Sequence, residues 1–241
     1  MAKTVTPYND ARSKKEQVEE MFDNIAHRYD FLNHLLSLGI DISWRKKAVK
    51  YLADIQPKKI LDVASGTGDF AFEALTLKPE KVIGYDLSEG MMKYGREKAR
   101  QMGVQQTVEF IKGDSEKMPF EDNSFDAITV GFGVRNFENL KQGLAEMYRV
   151  TRSGGKVAIL EASQPPNAII RALYGLYFNH VVPMVGRLFS KDVRAYTYLP
   201  ESVKAFPEGL DFVKILENIG FRNVKWQPLT FGACAFYTME K

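Results

Sequence analysis

The stretch Ile60-Leu61-Asp62-Val63-Ala64-Ser65-Gly66-Thr67-Gly68-Asp69 constrains this chain more than any other. An apolar strand runs straight into a loop of small residues and then into sequence that favours a helix. Such an arrangement makes the floor of a nucleotide-type site. Gly66 and Gly68 have no Cβ, so the backbone can turn sharply and a ligand can approach the main chain, while the following helix points its N–H groups at the turn. Asp62, at the strand end, is expected to aim an acceptor into the same crevice. The plain alternative is that the two glycines only make a tight turn.

Around this stretch the chain alternates. Helix is expected from Lys14, where Val18, Met21, Phe22, Ile25 and Ala26 fall at helical spacing, and again from about Ser43. Beyond the glycine loop, residues 70–77, 90–102, 140–150 and 210–219 read as helices, and residues 81–85, 107–111, 125–130, 156–160, 224–226 and 235–239 as strands. Strands and helices alternating at this spacing argue for a mostly parallel α/β sheet whose ligands sit at the carboxyl ends of the strands. The last two strands lie close in sequence and are expected to pair as a hairpin, which puts one antiparallel strand at the sheet edge. Residues 1–52 form a polar tail and a helical cap, or simply pack on the sheet; residues 53–241 form the main domain, interrupted at 161–207 by an insertion rich in Tyr, Phe and Pro. Within the insertion Leu173, Leu176, Tyr177, Val181 and Val182 make a broad apolar face.

The loop does not fit the dinucleotide fingerprint Gly-x-Gly-x-x-Gly, because Ala64 and Ser65 precede a bare Gly-Thr-Gly. Three acidic residues, Asp62, Asp86 and Asp114, instead follow three successive strands. An adenosyl ligand lying across strand ends needs acceptors for its ribose hydroxyls and its adenine amino group, and Asp86 and Asp114 stand at the positions for those two tasks. The cofactor expected is S-adenosylmethionine, with S-adenosylhomocysteine as product.

Composition excludes several classes. The chain of 241 residues carries 33 basic and 30 acidic side chains with no long block of either sign, so no nucleic-acid partner is expected. One cysteine, Cys234, rules out an internal disulfide or a cysteine cluster, and His27, His34 and His180 lie in no metal-ligand spacing, so no metal is expected. The start is polar, and the greasiest stretch, residues 168–189, is broken by Arg171, His180, Pro183 and Arg187. A cytoplasmic protein is expected, touching the inner face of the membrane transiently, where Arg171 and Arg187 could meet anionic headgroups.

Four blocks carry a resemblance. Phe22-Asp23-x-Ile25-Ala26-x-Arg28-Tyr29-Asp30-x-x-Asn33, Leu61-Asp62-Val63-Ala64-x-Gly66-Thr67-Gly68-Asp69, Phe132-Gly133-Val134-Arg135-Asn136 and Tyr196-x-Tyr198-Leu199-x-x-Ser202 closely resemble the ubiquinone/menaquinone biosynthesis C-methyltransferase family, the UbiE/MenG type. The resemblance implies a class I S-adenosylmethionine-dependent methyltransferase fold, a Rossmann-like sheet, and C-methylation of a reduced polyprenyl quinone ring. It also implies cofactor contacts at Thr67, Asp86, Asp114 with Ser115, and Gly131. Ser115 and Gly131 stand where the family commonly has Ala and Ser, and Ala162 where it commonly has Phe.

An aromatic carbon attacks a sulfonium methyl well only when its ring is electron-rich, so the acceptor should arrive as a hydroquinone and react as its phenolate. Phenols titrate near pH 10, so a fixed positive charge must favour the anion. Arg135 is the candidate for that charge, Asn136 for orienting the ring, and His180 for accepting the proton. Arg135 pairing with a loop carboxylate such as Glu138, and a purely structural His180, are the alternatives. Tyr29 and the N-terminal helices read as a lid over the cofactor. A second copy of the chain, a different lipid or phenolic acceptor, and a scaffold without activity all remain open at this level.

Overall fold

The computed structural model describes residues 5–8, 10–177 and 193–241. Three helices lead: α1 (Lys14–Ile25), α2 (Tyr29–Ser37) and α3 (Ile40–Leu52). Alternation follows with β1 (Lys59–Val63), α4 (Asp69–Ala74), β2 (Lys81–Asp86), α5 (Glu89–Gln101), β3 (Val108–Lys112), β4 (Phe125–Gly131), α6 (Leu140–Val150) and β5 (Thr151–Ala162). After the insertion helices α7 (Ala168–Leu176) and α8 (Val193–Ala205) come α9 (Leu210–Ile219), β6 (Arg222–Leu229) and β7 (Cys234–Glu240).

The seven strands form one sheet in the order β3-β2-β1-β4-β5-β7-β6. β7 runs antiparallel to both neighbours and lies one place in from the edge, with β6 outside it. Pro228 is tolerated in β6 because an edge strand has one row of N–H groups to spare. β1 and β4 are buried on both faces, as parallel strands covered by helices must be. Leu144, Met147, Phe212 and Leu216 bring α6 and α9 onto one face; Val49, Leu52, Ala71, Ala74 and Ala99 bring α3, α4 and α5 onto the other.

Two boundaries differ from the sequence reading for local reasons. Leu38 and Gly39 adopt left-handed backbone at φ 51° and 73°, so α2 stops and α3 starts at Ile40 rather than near Ser43. Ser153-Gly154-Gly155 is absorbed into a long β5, where the register against β4 shifts and Gly154 takes φ 75°. α1 carries a reciprocal capping box between Ser13 and Glu16. α1, Ala195 and Tyr198 of α8, and Met91 of α5 form a third apolar cluster, which holds the cap over the carboxyl ends of the strands.

Candidate functional site

β1 and β4 are neighbours, and the chain leaves them in opposite directions along the sheet, so a crevice opens between their loops. Its floor is the turn after β1. Ala64 takes φ 52° and Gly66 φ 55°, which turns the Gly66 amide toward Asp86; it donates to Asp86 Oδ2 at 2.8 Å. The Ser88 amide donates to Asp86 Oδ1 at 2.8 Å, and Ser88 also caps α5. Burial raises the Asp86 pKa, and these amide bonds work against that rise. The cap is tied to the same turn, because Asp23 of α1 accepts from Ser88 Oγ at 2.5 Å and from the Gly90 amide at 2.8 Å.

This first cavity collects Tyr29, Gly66, Asp86, Asp114, Ser115 and Gly131 among the residues expected to bind a cofactor, together with Asn136. The other three stand behind its wall. Asp62 is fully buried and accepts from Thr129 Oγ1 at 2.7 Å and from the Ala71 amide at 3.1 Å, so it joins β1 to β4 and α4. Thr67 donates to Asp30 of α2. Gly68, at φ 88°, is required by packing as well, since a Cβ there would come within 2.4 Å of Phe110.

The charge of the cavity speaks to its ligand. Among the described residues, Glu19, Asp86, Asp114, Glu116 and Glu138 line it, against one cation, Lys15, whose Nζ is paired with Asp114. A pyrophosphate would be repelled by such a wall. A cationic sulfonium carrying ribose hydroxyls fits its acceptor-rich side chains. α1 crosses the opening, and Lys14 Nζ fastens it by donating to the carbonyls of Arg135 and Phe137, both at 2.9 Å. Burial, and the nearby charge of Arg135, push the Lys14 pKa down to about 8.

A second cavity of about 450 Å³ lies beside the first and is mostly apolar. Leu32, Leu36 and Trp44 of the cap, Ile170 and Tyr174 of α7, Tyr177 just beyond it, and Leu199 of α8 line it. Phe22, Tyr29 and Phe132 line both cavities and form the seam between them. Phe132 sits at φ 60°, a conformation that costs a large residue free energy, and its amide donates to Leu160 at 2.7 Å to hold it there.

Arg135 and Asn136 follow Phe132 on one short 3₁₀ turn and face the two sides of this seam: Asn136 lines the first cavity, Arg135 the second. Asn136 Oδ1 accepts from the buried Tyr198 hydroxyl at 3.2 Å. Burial pushes the Tyr198 pKa up to about 12, so it stays a donor at neutral pH. Arg135 pairs with Glu161 at 2.6 Å, both side chains being buried, while the nearby Glu138 accepts instead from the Lys14 amide at 2.9 Å. Burial works to lower the Arg135 pKa, but the Glu161 carboxylate more than offsets this and holds the guanidinium charged. Arg135 Nε is buried without a partner among the described residues.

His180 lies outside the described residues, as do Val181, Val182 and Arg187. The sequence reading missed Glu161 as a partner of Arg135, and Phe132 as the seam. The signal for Glu161 was present, an acidic residue at the end of an otherwise apolar central strand. Folding also brings His34 next to Asp41 and Asp69, residues whose spacing gave no metal signal, with Arg45 bonded to Asp41 at 2.8 Å and Lys98 to Asp69 at 2.8 Å as counter-charges.

A family model described as the ubiE/COQ5 methyltransferase family matches residues 10–241. The chain is similar to a demethylmenaquinone methyltransferase of Bacteroides fragilis, 50% identical over 238 residues that cover 98% of this chain and 97% of the relative. It is 45% identical to a ubiquinone/menaquinone biosynthesis C-methyltransferase UbiE of Geotalea daltonii, over 95% of this chain and 97% of that one. Among solved structures, an S-adenosylmethionine-dependent methyltransferase of Thermotoga maritima, a possible histamine N-methyltransferase, superposes with a TM-score of 0.61 over 92% of this chain and 99% of the other at 19% identity. That likeness shows the class I methyltransferase fold.

Proposed function

Because the chain belongs to the ubiE/COQ5 methyltransferase family, matched over residues 10–241, we propose that it transfers a methyl group from S-adenosylmethionine to a ring carbon of demethylmenaquinol, a reduced polyprenyl quinone. One observation carries the reading. Arg135 and Asn136 stand side by side at the seam between an acidic cavity and a large apolar one, and Arg135 brings to that seam a buried donor without a partner among the described residues. A ring oxygen from the apolar side supplies what Nε lacks.

In the acidic cavity Asp86 and Asp114 would take the ribose hydroxyls and the adenine amino group, and Gly66 leaves room for the ligand to reach the main chain. Asp62, Thr67 and Gly68 would act there by shaping the loop. S-adenosylmethionine, when bound, supplies an electrophilic methyl on a sulfonium sulfur. Arg135 cannot be a base, because its guanidinium stays protonated; it lowers the acidity constant's exponent at the ring hydroxyl and steadies the oxyanion. Asn136, held by Tyr198, orients the ring. Tyr29 and Phe22 close the seam against water, with α1 strapped across by Lys14. Residues 1–52 thus act as a cap on the domain that follows, and removing them should abolish tight cofactor binding.

The apolar cavity takes the start of the prenyl chain, and its mouth suggests how that chain arrives. Leu38 and Phe231 line the cavity yet are 82% and 77% exposed, each on left-handed backbone at a loop tip. Two such side chains dip into the apolar layer of a membrane surface, from which the substrate would slide inward. No helix among the described residues is long and apolar enough to cross a membrane. The double variant Leu38→Ser, Phe231→Ser should lose most of its flotation with phosphatidylglycerol vesicles and keep its affinity for the cofactor.

Methyl transfer from labelled S-adenosylmethionine to demethylmenaquinol and, in parallel, to a prenylated methoxybenzoquinol, both under reducing conditions, tests the reading. Labelling of the naphthoquinol is expected. Labelling of the benzoquinol alone would move the substrate to the ubiquinone series, and labelling of neither, with the cofactor bound, would hand the cavity to another lipid or phenolic acceptor.

A further inference from the structure

We propose that Glu161 is a positioning residue for the transfer: it fixes the orientation of Arg135 and sets how much positive charge Arg135 presents to the ring oxygen. The proposal rests on the reading of the apolar cavity as the hydroquinone site.

The geometry is that of a bracket. Glu161 is fully buried near the end of β5. Its Oε1 accepts from Arg135 Nη1 at 2.6 Å and from the Ala162 amide at 2.9 Å, while Oε2 accepts from the Arg135 amide at 3.2 Å. One carboxylate therefore holds both the main chain and the side chain of the same arginine. Arg135 Nη1 also donates to the Phe132 carbonyl, so its guanidinium edge is engaged by the strand and by the seam residue. What stays unengaged is Nε, buried and without a partner among the described residues. The bracket leaves Nε, buried, for a ligand, a donor that an arginine free to swing would have satisfied elsewhere.

The same contact tunes charge. A lone buried guanidinium would bind a ring anion strongly before any bond to carbon forms, and binding spent on the ground state does not speed the chemical step. Paired with Glu161 it acts as an oriented dipole whose positive end faces the cavity. Among the described residues, the other titratable groups facing the pair are Lys14 from α1, Tyr29 from α2, Tyr174 from α7, Tyr198 from α8, and Cys234 and Tyr237 from β7. Burial raises the pKa of each of these tyrosines and of the thiol, so near pH 6–7 they stay neutral while most of Lys14 is charged. Among the described residues, Glu161 is the one negative charge paired with Arg135.

The test reads the bound ring directly. 2-Prenyl-1-naphthol, followed by the absorbance of its naphtholate, is titrated on the full-length protein with S-adenosylhomocysteine present. Glu161→Gln, which keeps shape and removes charge, should lower the titration midpoint of the bound naphthol by about one pH unit, the usual size for one neighbouring charge. Glu161→Asp, which keeps the charge and draws it back by one methylene, should leave the midpoint near that of the native protein and cut kcat about tenfold with the KM for S-adenosylmethionine unchanged. An unmoved midpoint in Glu161→Gln with a lowered Tm would reduce Glu161 to a structural residue and overturn the proposal. If Glu161→Gln fails to fold, Glu161→Asp decides, since native kcat in that variant overturns the bracket. Failure of the native protein to bind the naphthol would instead bring down the reading of the cavity itself, and the proposal with it.

Discussion

The two cavities share Phe22, Tyr29 and Phe132, yet they are made of opposite materials. The first is floored by the loops at the ends of β1, β2 and β4, and it is shaped by main-chain turns and by Asp86, whose carboxylate is held by main-chain amides. The second is walled by side chains from α2, α3, α7 and α8, elements far apart in sequence. If the first cavity takes the cofactor, its recognition is built into the sheet, where backbone geometry leaves little freedom. If the second takes the quinol, that recognition is left to helices that can vary without disturbing the sheet. On the proposed reading, the reaction takes place where the two meet.

The largest expected effect cuts between them. Arg135→Gln should lower turnover on demethylmenaquinol by about 10²–10³-fold, the range for losing one preorganised donor at a developing charge, with cofactor affinity nearly intact by calorimetry. Equal loss of both would mean that Arg135 supports the whole seam and that the division is false. Asp86→Asn should do the converse. It removes a charged acceptor from the polar cavity and should weaken S-adenosylmethionine about tenfold or more, while the KM for the quinol holds. A quinol KM that rose in step would show the two sites to be one.

How far the sequence reached follows the same line. Gly66, Asp86 and Asp114 were legible because a strand end and a short loop place a residue whatever the rest of the chain does. Thr67 and Gly68 belong to the same loop but face away, and Asp62 turns toward Thr129, since position along a strand does not say which way a side chain points. Arg135 was singled out through its motif, with pairing to a loop carboxylate such as Glu138 as the alternative to its role at the ring. The actual partner, Glu161, lies 26 residues on, brought alongside by the pairing of β4 with β5. The apolar cavity was foreseen only as a greasy insertion, because half of its wall belongs to the N-terminal helices.

A smaller effect concerns the lone cation of the polar cavity. Lys15 is paired with Asp114 at the rim, where both side chains are about a third exposed. A pair of that kind contributes roughly 0.2–1 kcal/mol. Lys15→Met should free the Asp114 carboxylate, make the cavity more negative, and tighten S-adenosylmethionine about two- to fivefold at low salt, an advantage that fades as salt is added. Weaker binding would instead make Lys15 a ligand contact, and the cavity would no longer be a site selective for cations.

The smallest effect tests whether Asp62 belongs to the polar cavity or to the sheet. Burial raises its pKa to about 7, against the Thr129 and Ala71 hydrogen bonds that favour the charged form, whereas in the unfolded chain it titrates near pH 4. Between those values the folded state binds the extra proton. The stability this carboxyl contributes is therefore complete below about pH 4 and is lost as the pH rises through about 7. Asp62→Asn keeps an acceptor for the Ala71 amide and a donor for the Thr129 hydroxyl but has nothing to titrate. Its Tm relative to the native protein should therefore rise by a few degrees from pH 5 to pH 8, at about 2–4 °C for each kcal/mol. A Tm difference that does not change with pH would mean that Asp62 is not held as a buried acid. Unchanged cofactor affinity in the same variant would keep Asp62 with the framework; a large loss would return it to the polar cavity and move the boundary between the two sites inward to β1.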